Sequence, residues 1–481
     1  MITKATGRKI GRFLLIICVL YLLYVFLTGV FPFLGRKEVS EDFAASIKTS
    51  DFYGETVCTD RVALIEQPSD GFYTRLHILD EAKERVDVSY YAMHMGETTD
   101  LFLGALLDAA DRGVHIRILV DGLFGGLTDA NRTYAVALGA HPNIEVALYN
   151  PPSLLKPWTW NGRLHDKYII VDDRLLLLGG RNIGDKYFAP EGYEKKISYD
   201  RDVLVYNTAW QYRENESVLH DVRRYMDALW NSSDVRQSFE KETRRGAEKQ
   251  EELLRTYRLF AAEHAEIIDH TSDNYEGQTY AANRVTFFHN DTQIGLKEPK
   301  TGYILSQLLL DAKDSVTMQS PYIIREPVLD ELLDTLDEKE LDVTLLTNSV
   351  ASSPNPMACT AYWGDRASLL THDVRLWEYQ GKDQLHAKSY LIDDRMAVVG
   401  SYNLDPRSAY LDTELMLAID SPAFTQHLRE VQGEYLRQAM EVGGDGQYVP
   451  NSGVTECPVP PPKRVMLYAL YLPVKLFQNL I

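Results

Sequence analysis

The chain has 481 residues, enough for two or three domains with substantial cores. Its 69 acidic and 50 basic side chains leave a formal net charge of −19. That balance argues against a protein whose main business is gripping nucleic acid, because phosphate contacts need a basic surface, but it leaves room for a small basic pocket in an acidic body.

Residues 13–35 (FLLIICVLYLLYVFLTGVFPFLG) carry no charge, and about 20 apolar residues suffice to cross a bilayer as a helix. Lys4, Arg8, Lys9 and Arg12 precede the run and Arg36 and Lys37 follow it. The positive-inside rule then makes residues 1–37 a cytoplasmic tip and single-pass membrane anchor, with the main body extracytoplasmic. A cleaved signal peptide is the competing reading, opposed by the length of the run and the lack of an A-x-A-like cleavage site. Residues 38–57 read as a polar tether.

Beyond the tether, LHILDEAKERVDVSYYAM (76–93) gives an amphipathic helix followed by a strand, and LFLGALLDAADRGVHIRILVDG (101–122) repeats that order around a stop at Gly113. YILSQLLLDAKDSVTMQSPYII (303–324) and LDELLDTLDEKELDVTLLTNS (329–349) give the same four elements again. Alternating helices and strands predict two tandem α/β domains, 58–232 and 283–450, each a mixed, largely parallel sheet with helices on both faces. Between them, 233–282 reads as a charged, helical connector with solvated faces. Residues 451–481 read as a Pro-rich linker and an apolar interfacial helix, with packing against the protein as the alternative. Cys18, Cys58, Cys359 and Cys457 show no metal-ligand spacing, and the last three suit one disulfide or free thiols equally well.

The two halves also share a motif. RLHDKYIIVDDR (163–174) returns as QLHAKSYLIDDR (384–395). Each copy reads as a hairpin turning at Asp-Asp-Arg, and side chains two apart on a strand share a face. His165 therefore points with Lys167, and His386 with Lys388. Turns centred on Asp173 and Asp394 set Lys167 opposite Gly179, His165 opposite Arg181 and Lys388 opposite Gly400. Glycine there leaves room for a ligand close to the backbone, so Gly179-Gly180 and Gly400-Ser401 are expected to support a phosphate. Asn182 and Asn403 follow with amide donors for the same ligand. Asp172 and Asp393 have the opposite parity and open the turns, where they would hold turn amides or a nearby base.

Two facing domains would bring together two histidines, two lysines and two asparagines, a set suited to a singly charged phosphodiester. The ammonium groups and amides can stabilise the charge that builds in the transition state. One neutral imidazole can attack phosphorus while the other, protonated, supplies the leaving oxygen with its proton. No other His/Asp/Glu grouping has metal-ligand spacing, and His264 and His270, six apart, would not share a helix face. The chemistry is therefore expected to need no metal and no cofactor.

The paired H-x-K-x4-D, with GGRNIGDKYF (179–188) after the first copy and GSYNLDPRSAYLDTE (400–414) after the second, resembles the phospholipase D superfamily. Within it the chain is most similar to bacterial cardiolipin synthases of the C type, through AHPNIEVALYNP (140–151), SPYII (320–324) and LLTNSVASS (345–353) as well. The resemblance spans about residues 60–440. It implies a catalytic set of His165, Lys167, Asp172, His386, Lys388 and Asp393, a covalent phosphohistidine, and transfer of a phosphatidyl group to an alcohol or to water. By the same likeness His165 is the nucleophile, His386 the acid, and Glu414 and Asp202 orient the histidines. Cardiolipin synthesis from phosphatidylglycerol, with phosphatidylglycerol or phosphatidylethanolamine as donor, is the expected activity. A hydrolytic phospholipase D is the nearest rival, and a nucleic-acid phosphodiesterase is disfavoured by the acidity and the anchor. Leu154, Leu155, Trp158 and Trp160 in SLLKPWTWNGRL (153–164) suit either a loop dipping into the membrane or core packing.

Overall fold

The computed structural model describes residues 4–212, 215–237, 239, 241–265, 274–450 and 453–481. In each half, helices lead into strands as the hydrophobic periodicity requires. Pro68–Asp80 feeds Arg85–Tyr90 and Glu97–Asp111 feeds His115–Asp121 in the first half; Lys300–Leu310 feeds Ser315–Gln319 and Pro327–Asp337 feeds Asp342–Asn348 in the second. Gly113, at φ +98°, ends the second of these helices in the left-handed region that a side chain would resist.

The first half builds a nine-stranded sheet and the second an eight-stranded one. The first runs in the order Tyr280–Ala281, Asp60–Ile65, Asp202–Asn207, Leu175–Gly179, Lys167–Val171, Arg85–Tyr90, His115–Asp121, Ile144–Tyr149, Val235–Gln237. The second runs Arg284–His289, Leu415–Asp420, Met396–Gly400, Lys388–Ile392, Ser315–Gln319, Asp342–Asn348, Arg375–Tyr379, Ala439–Glu441. The mixed α/β architecture with its internal repeat is as expected, but the largely parallel pairing is not. Within these two sheets, parallel pairs join only Arg85–Tyr90, His115–Asp121 and Ile144–Tyr149, and their counterparts Ser315–Gln319, Asp342–Asn348 and Arg375–Tyr379. Those strands are linked by helical crossovers, which parallel neighbours need. The His/Lys hairpins and the strands returning beside them pair antiparallel.

The apolar run Leu175–Gly179 shows how the halves join. Leu175 and Leu177 face a core under the outer helices, while Leu176 and Leu178 face the opposite way. On that inner side they share one buried cluster with Val203 and Val205 of their own sheet and Ala397, Val399, Leu415 and Leu417 of the other. A strand buried on both faces loses its polar alternation, which is why the four residues before Gly179 are all leucine. A short parallel pair, Gln384–Leu385 on Ser198–Tyr199, stitches the halves again immediately before His386.

The segment read as a tether is clipped to the second half: Phe52 is buried edge-to-face on Phe288 at 5.9 Å, and Gly54 N donates to Asp420 Oδ2 at 2.9 Å. The connector supplies the two outermost strands of the first sheet and the helix Arg244–Glu263, whose Leu253 and Tyr257 are buried in the first core. Residues 266–273, His270 among them, lie outside the described residues. The C-terminal helix Pro461–Leu476 buries Val474 against Ala358 and Ala361, as the packing alternative expects, and leaves Tyr468, Leu472 and Leu476 exposed on its other face. The four cysteines are free thiols. Residues Arg8–Phe33 form a helix long and apolar enough to cross a membrane, with a mean hydropathy of 2.7 over its best window.

Candidate active site

Each H-x-K starts the inner strand of a hairpin at the seam between the sheets. Lys388 stands opposite Gly400, as the turn geometry requires, and the pairing of Tyr168 with Leu178 sets Lys167 opposite Gly179 in the same register. The lysine ammonium groups fold back onto the histidine carbonyls, Lys167 Nζ to His165 O at 2.5 Å and Lys388 Nζ to His386 O. The glycines do not make room for a ligand. A Cβ on Gly179 would lie 2.3 Å from Arg201 O, and one on Gly400 would lie 2.2 Å from Leu415 O, so both are small to admit the next strand. A Cβ on Gly180 would sit 2.3 Å from Asp200 Oδ1. In the second half Ser401 takes that place and donates its hydroxyl to Glu414 Oε2. Gly180 and Ser401 thus serve carboxylates.

Those carboxylates hold the imidazoles. His165 Nδ1 donates to Glu414 Oε1 at 2.9 Å, and His386 Nδ1 to Asp200 Oδ2 at 2.5 Å. Each orienting group comes from the other half of the chain, so neither histidine is complete in its own domain. Asp202, expected to orient a histidine, instead accepts from Arg75 at 3.0 Å and Arg181 at 3.1 Å in a buried ion-pair cluster. The sheet register carries the missed signal: Gly179 pairs with Asp202 where Gly400 pairs with Met416, so the residue matching Glu414 lies two positions earlier, at Asp200. Thr413, also missed, accepts from His165 N at 2.9 Å and donates to Asp166 at 2.6 Å.

Asp172 and Asp393 stand apart from this cluster. They lie just past the far end of their strands, five residues beyond the lysines, which is about 16 Å of extended chain. The Asp172 carboxylate accepts from the amides of Lys83, Glu84 and Arg85, and Asp393 likewise from Lys313, Asp314 and Ser315. Both hold φ near +50°. They tie each hairpin to the helix–strand turn before it, which fits the expected amide-holding role and removes them from the catalytic set. Asn182 and Asn403 are buried beside the motifs; Asn182 Nδ2 donates to Tyr187 Oη at 3.1 Å, and the Oδ1 atoms of both have no hydrogen-bond partner among the described residues.

The electrostatics join the two pairs into one site. Burial, then Lys167 and Lys388, hold the His165 imidazole well below its ordinary value. Burial and Lys388 push His386 down to about 3, and Lys167 adds to this from the other half. Burial brings Lys167 down to about 7 and lowers Lys388 as well. The orienting carboxyls differ. Burial raises Glu414 to about 7 against the pull of Lys167, whereas at Asp200 the charges of Lys388 and His386 outweigh burial and hold it below the ordinary range. Neutral imidazoles that donate from Nδ1 present their Nε2 lone pairs to the site. Tyr91 stands edge-to-face on His165 at 5.0 Å and Tyr187 on His386 at 6.0 Å. Away from the site, the fold brings Asp334, Asp337 and His372 within 4.8 Å of one another, a grouping that residues distant in sequence did not announce. There His372 Nδ1 bonds to Asp337 Oδ2 at 2.7 Å.

Two H-x-K hairpins meeting across the seam of a repeated α/β scaffold define a phospholipase D-like enzyme. A family model described as cardiolipin synthase, PLD-like domain, matches residues 76–230 and 305–434, and the chain belongs to that family. It is 30% identical to cardiolipin synthase C of Escherichia coli (strain K12) over 410 residues, 77% of this chain and 84% of that protein. It is 25% identical to cardiolipin synthase 1 of Staphylococcus aureus (strain MRSA252), over 77% of this chain and 69% of that one. The crystal structure of phosphatidylserine synthase from Haemophilus influenzae Rd KW20 shares the fold with a TM-score of 0.64 at 15% identity, covering 90% of this chain and 99% of that chain.

Proposed function

We propose that the protein is a membrane-anchored phosphatidyltransferase that makes cardiolipin from phosphatidylglycerol and a second phospholipid. The observation that supports this reading is the crossed pair of carboxylate-held histidines flanked by two buried lysines, a site for one phosphodiester. His165 Nε2 attacks phosphorus; an N–P bond forms, the P–O bond to the leaving alcohol breaks, and His386 supplies that oxygen with a proton. The acceptor alcohol then gives its proton to His386, bonds to phosphorus and frees His165. The carboxyls favour this assignment. Ionised Asp200 stabilises an imidazolium on His386, while Glu414, raised to about 7, supports charge on His165 less. The anionic phosphodiester itself opposes the two lysines and lets His386 take up its proton. The lysines supply the positive charge that stabilises the transition state.

Lys4, Arg8, Lys9 and Arg12 at one end of the apolar helix argue for a cytoplasmic N-terminus and an extracytoplasmic body. The net charge of −19 argues against nucleic acid as substrate. The decisive experiment incubates the full chain, with chelator, in vesicles of labelled phosphatidylglycerol with and without phosphatidylethanolamine. Cardiolipin is the expected product, and dependence on phosphatidylethanolamine would identify the donor. Phosphatidic acid alone would make water the acceptor and overturn the transferase reading.

A further inference from the structure

The loop between Tyr149 and His165 does not stand free. Tyr21 Oη of the apolar helix donates to Leu154 O at 3.0 Å and Tyr24 Oη to Leu155 O at 2.7 Å. Lower on the same helix, Asn161 Nδ2 donates to Gly29 O at 2.6 Å, and Gly29 lies so close to Pro157 that a Cβ would stand 2.8 Å from Pro157 O. The loop therefore runs alongside the second half of the helix. The exit of that helix is fixed as well. Phe33 is buried with Tyr410 and Leu411, and Asn479 bonds both to Leu34 O at 2.6 Å and to Arg36 Nε at 3.1 Å.

We propose that residues 153–160 are embedded in the bilayer beside the anchor and form the surface through which lipid enters the histidine site from the leaflet. This rests on the anchor spanning the membrane. Tyr21 lies twelve residues from Phe33, about 18 Å of helical rise, and the hydrocarbon layer is about 30 Å thick. A loop hydrogen-bonded at Tyr21 and Tyr24 is then held at hydrocarbon depth. It is built for that place. Leu154 and Leu155 are 72% and 78% exposed, and Trp158 is 44% exposed. The two leucine carbonyls accept from the tyrosines, and Ser153 O accepts from Trp160 Nε1 at 2.8 Å, so these backbone groups are satisfied without water.

The surface leads inward. Phe124, half exposed, packs on Tyr91 at 5.4 Å, and Tyr91 packs on His165 at 5.0 Å. Acyl chains remain with Phe124 and the leucines while the phosphate advances to the imidazoles.

The test uses the full chain reconstituted in phosphatidylglycerol–phosphatidylethanolamine vesicles whose acyl chains carry bromine, a quencher of tryptophan emission. Wild type is expected to lose more emission than W158F, and W158F/L155W, which moves the indole along the loop, is expected to regain the difference. Equal quenching in all three, with the protein retained in the membrane after alkaline extraction, would overturn the embedded surface alone. Release on extraction would overturn the anchor and the surface with it. Quenching that appears only at one chain per vesicle would mean that a second copy covers the loop, which also overturns the proposal. None of these readouts requires turnover, so failure of the proposed reaction would be seen separately.

Discussion

Asp200 and Asp202 stand two residues apart and do different work. Asp200 holds His386 at 2.5 Å, whereas Asp202 joins Arg75 and Arg181 under the first sheet. D200N should keep the fold and its melting temperature while lowering turnover by about 10²- to 10⁴-fold, because an amide cannot stabilise the imidazolium. D202N should do the reverse: it leaves two buried guanidiniums short of a partner, a loss of about 3–5 kcal/mol, read by denaturant unfolding. Equal effects from both would contradict the assignment. Lys167 carries a second prediction. With its amine brought down to about 7, the free site loses that charge as pH rises through 7, and binding an anion then requires proton uptake. Hence kcat/KM for an anionic lipid should fall above pH 7, by up to about tenfold per pH unit for one linked proton. Glu414 titrates in the same range, so the limb belongs to the pair. A flat profile from pH 6 to 9 would count against it.

Among elements, the hairpins were the most legible part of the sequence, because an internal repeat fixes both the turn and the face of each side chain. Lys388 opposite Gly400 follows from the residues alone. The purpose of the glycine does not, since what it admits is a neighbouring strand whose place is set by tertiary pairing. The same limit explains the parallel sheet that was expected. Helix–strand alternation is local, while the antiparallel return of Asp202–Asn207 and Leu415–Asp420 is not. Asp393 shows the consequence for function. Its carboxylate accepts three amides at the turn before Ser315–Gln319 and lies a strand's length from Lys388. D393A should therefore cost about 1–3 kcal/mol of stability. Turnover per folded molecule should stay within severalfold of wild type, with unfolding and initial rates measured on the same preparation. A loss of activity in a fully folded D393A protein would return the residue to the chemistry.

For the whole molecule, sequence reading reached the two repeats and the apolar run, but not how they lock together. Tyr21 meets Leu154 across 133 positions, and no periodicity announces such a contact. The inner core, shared by Leu176, Leu178, Val399 and Leu417, makes the two halves one folding unit. The histidine–carboxylate bonds cross that core in both directions, His165 to Glu414 and Asp200 to His386. Each histidine–carboxylate pair therefore draws on both halves of the chain. H165A and H386A should each be inactive, and the two full-length variants mixed in the same vesicles should remain so, because neither chain can lend a histidine without opening the inner core. Chemistry through two independent sites would leave about half the activity in each single variant. A site shared between copies would restore turnover on mixing. Initial rates of lipid product from the two variants, alone and at equal ratio, separate these arrangements.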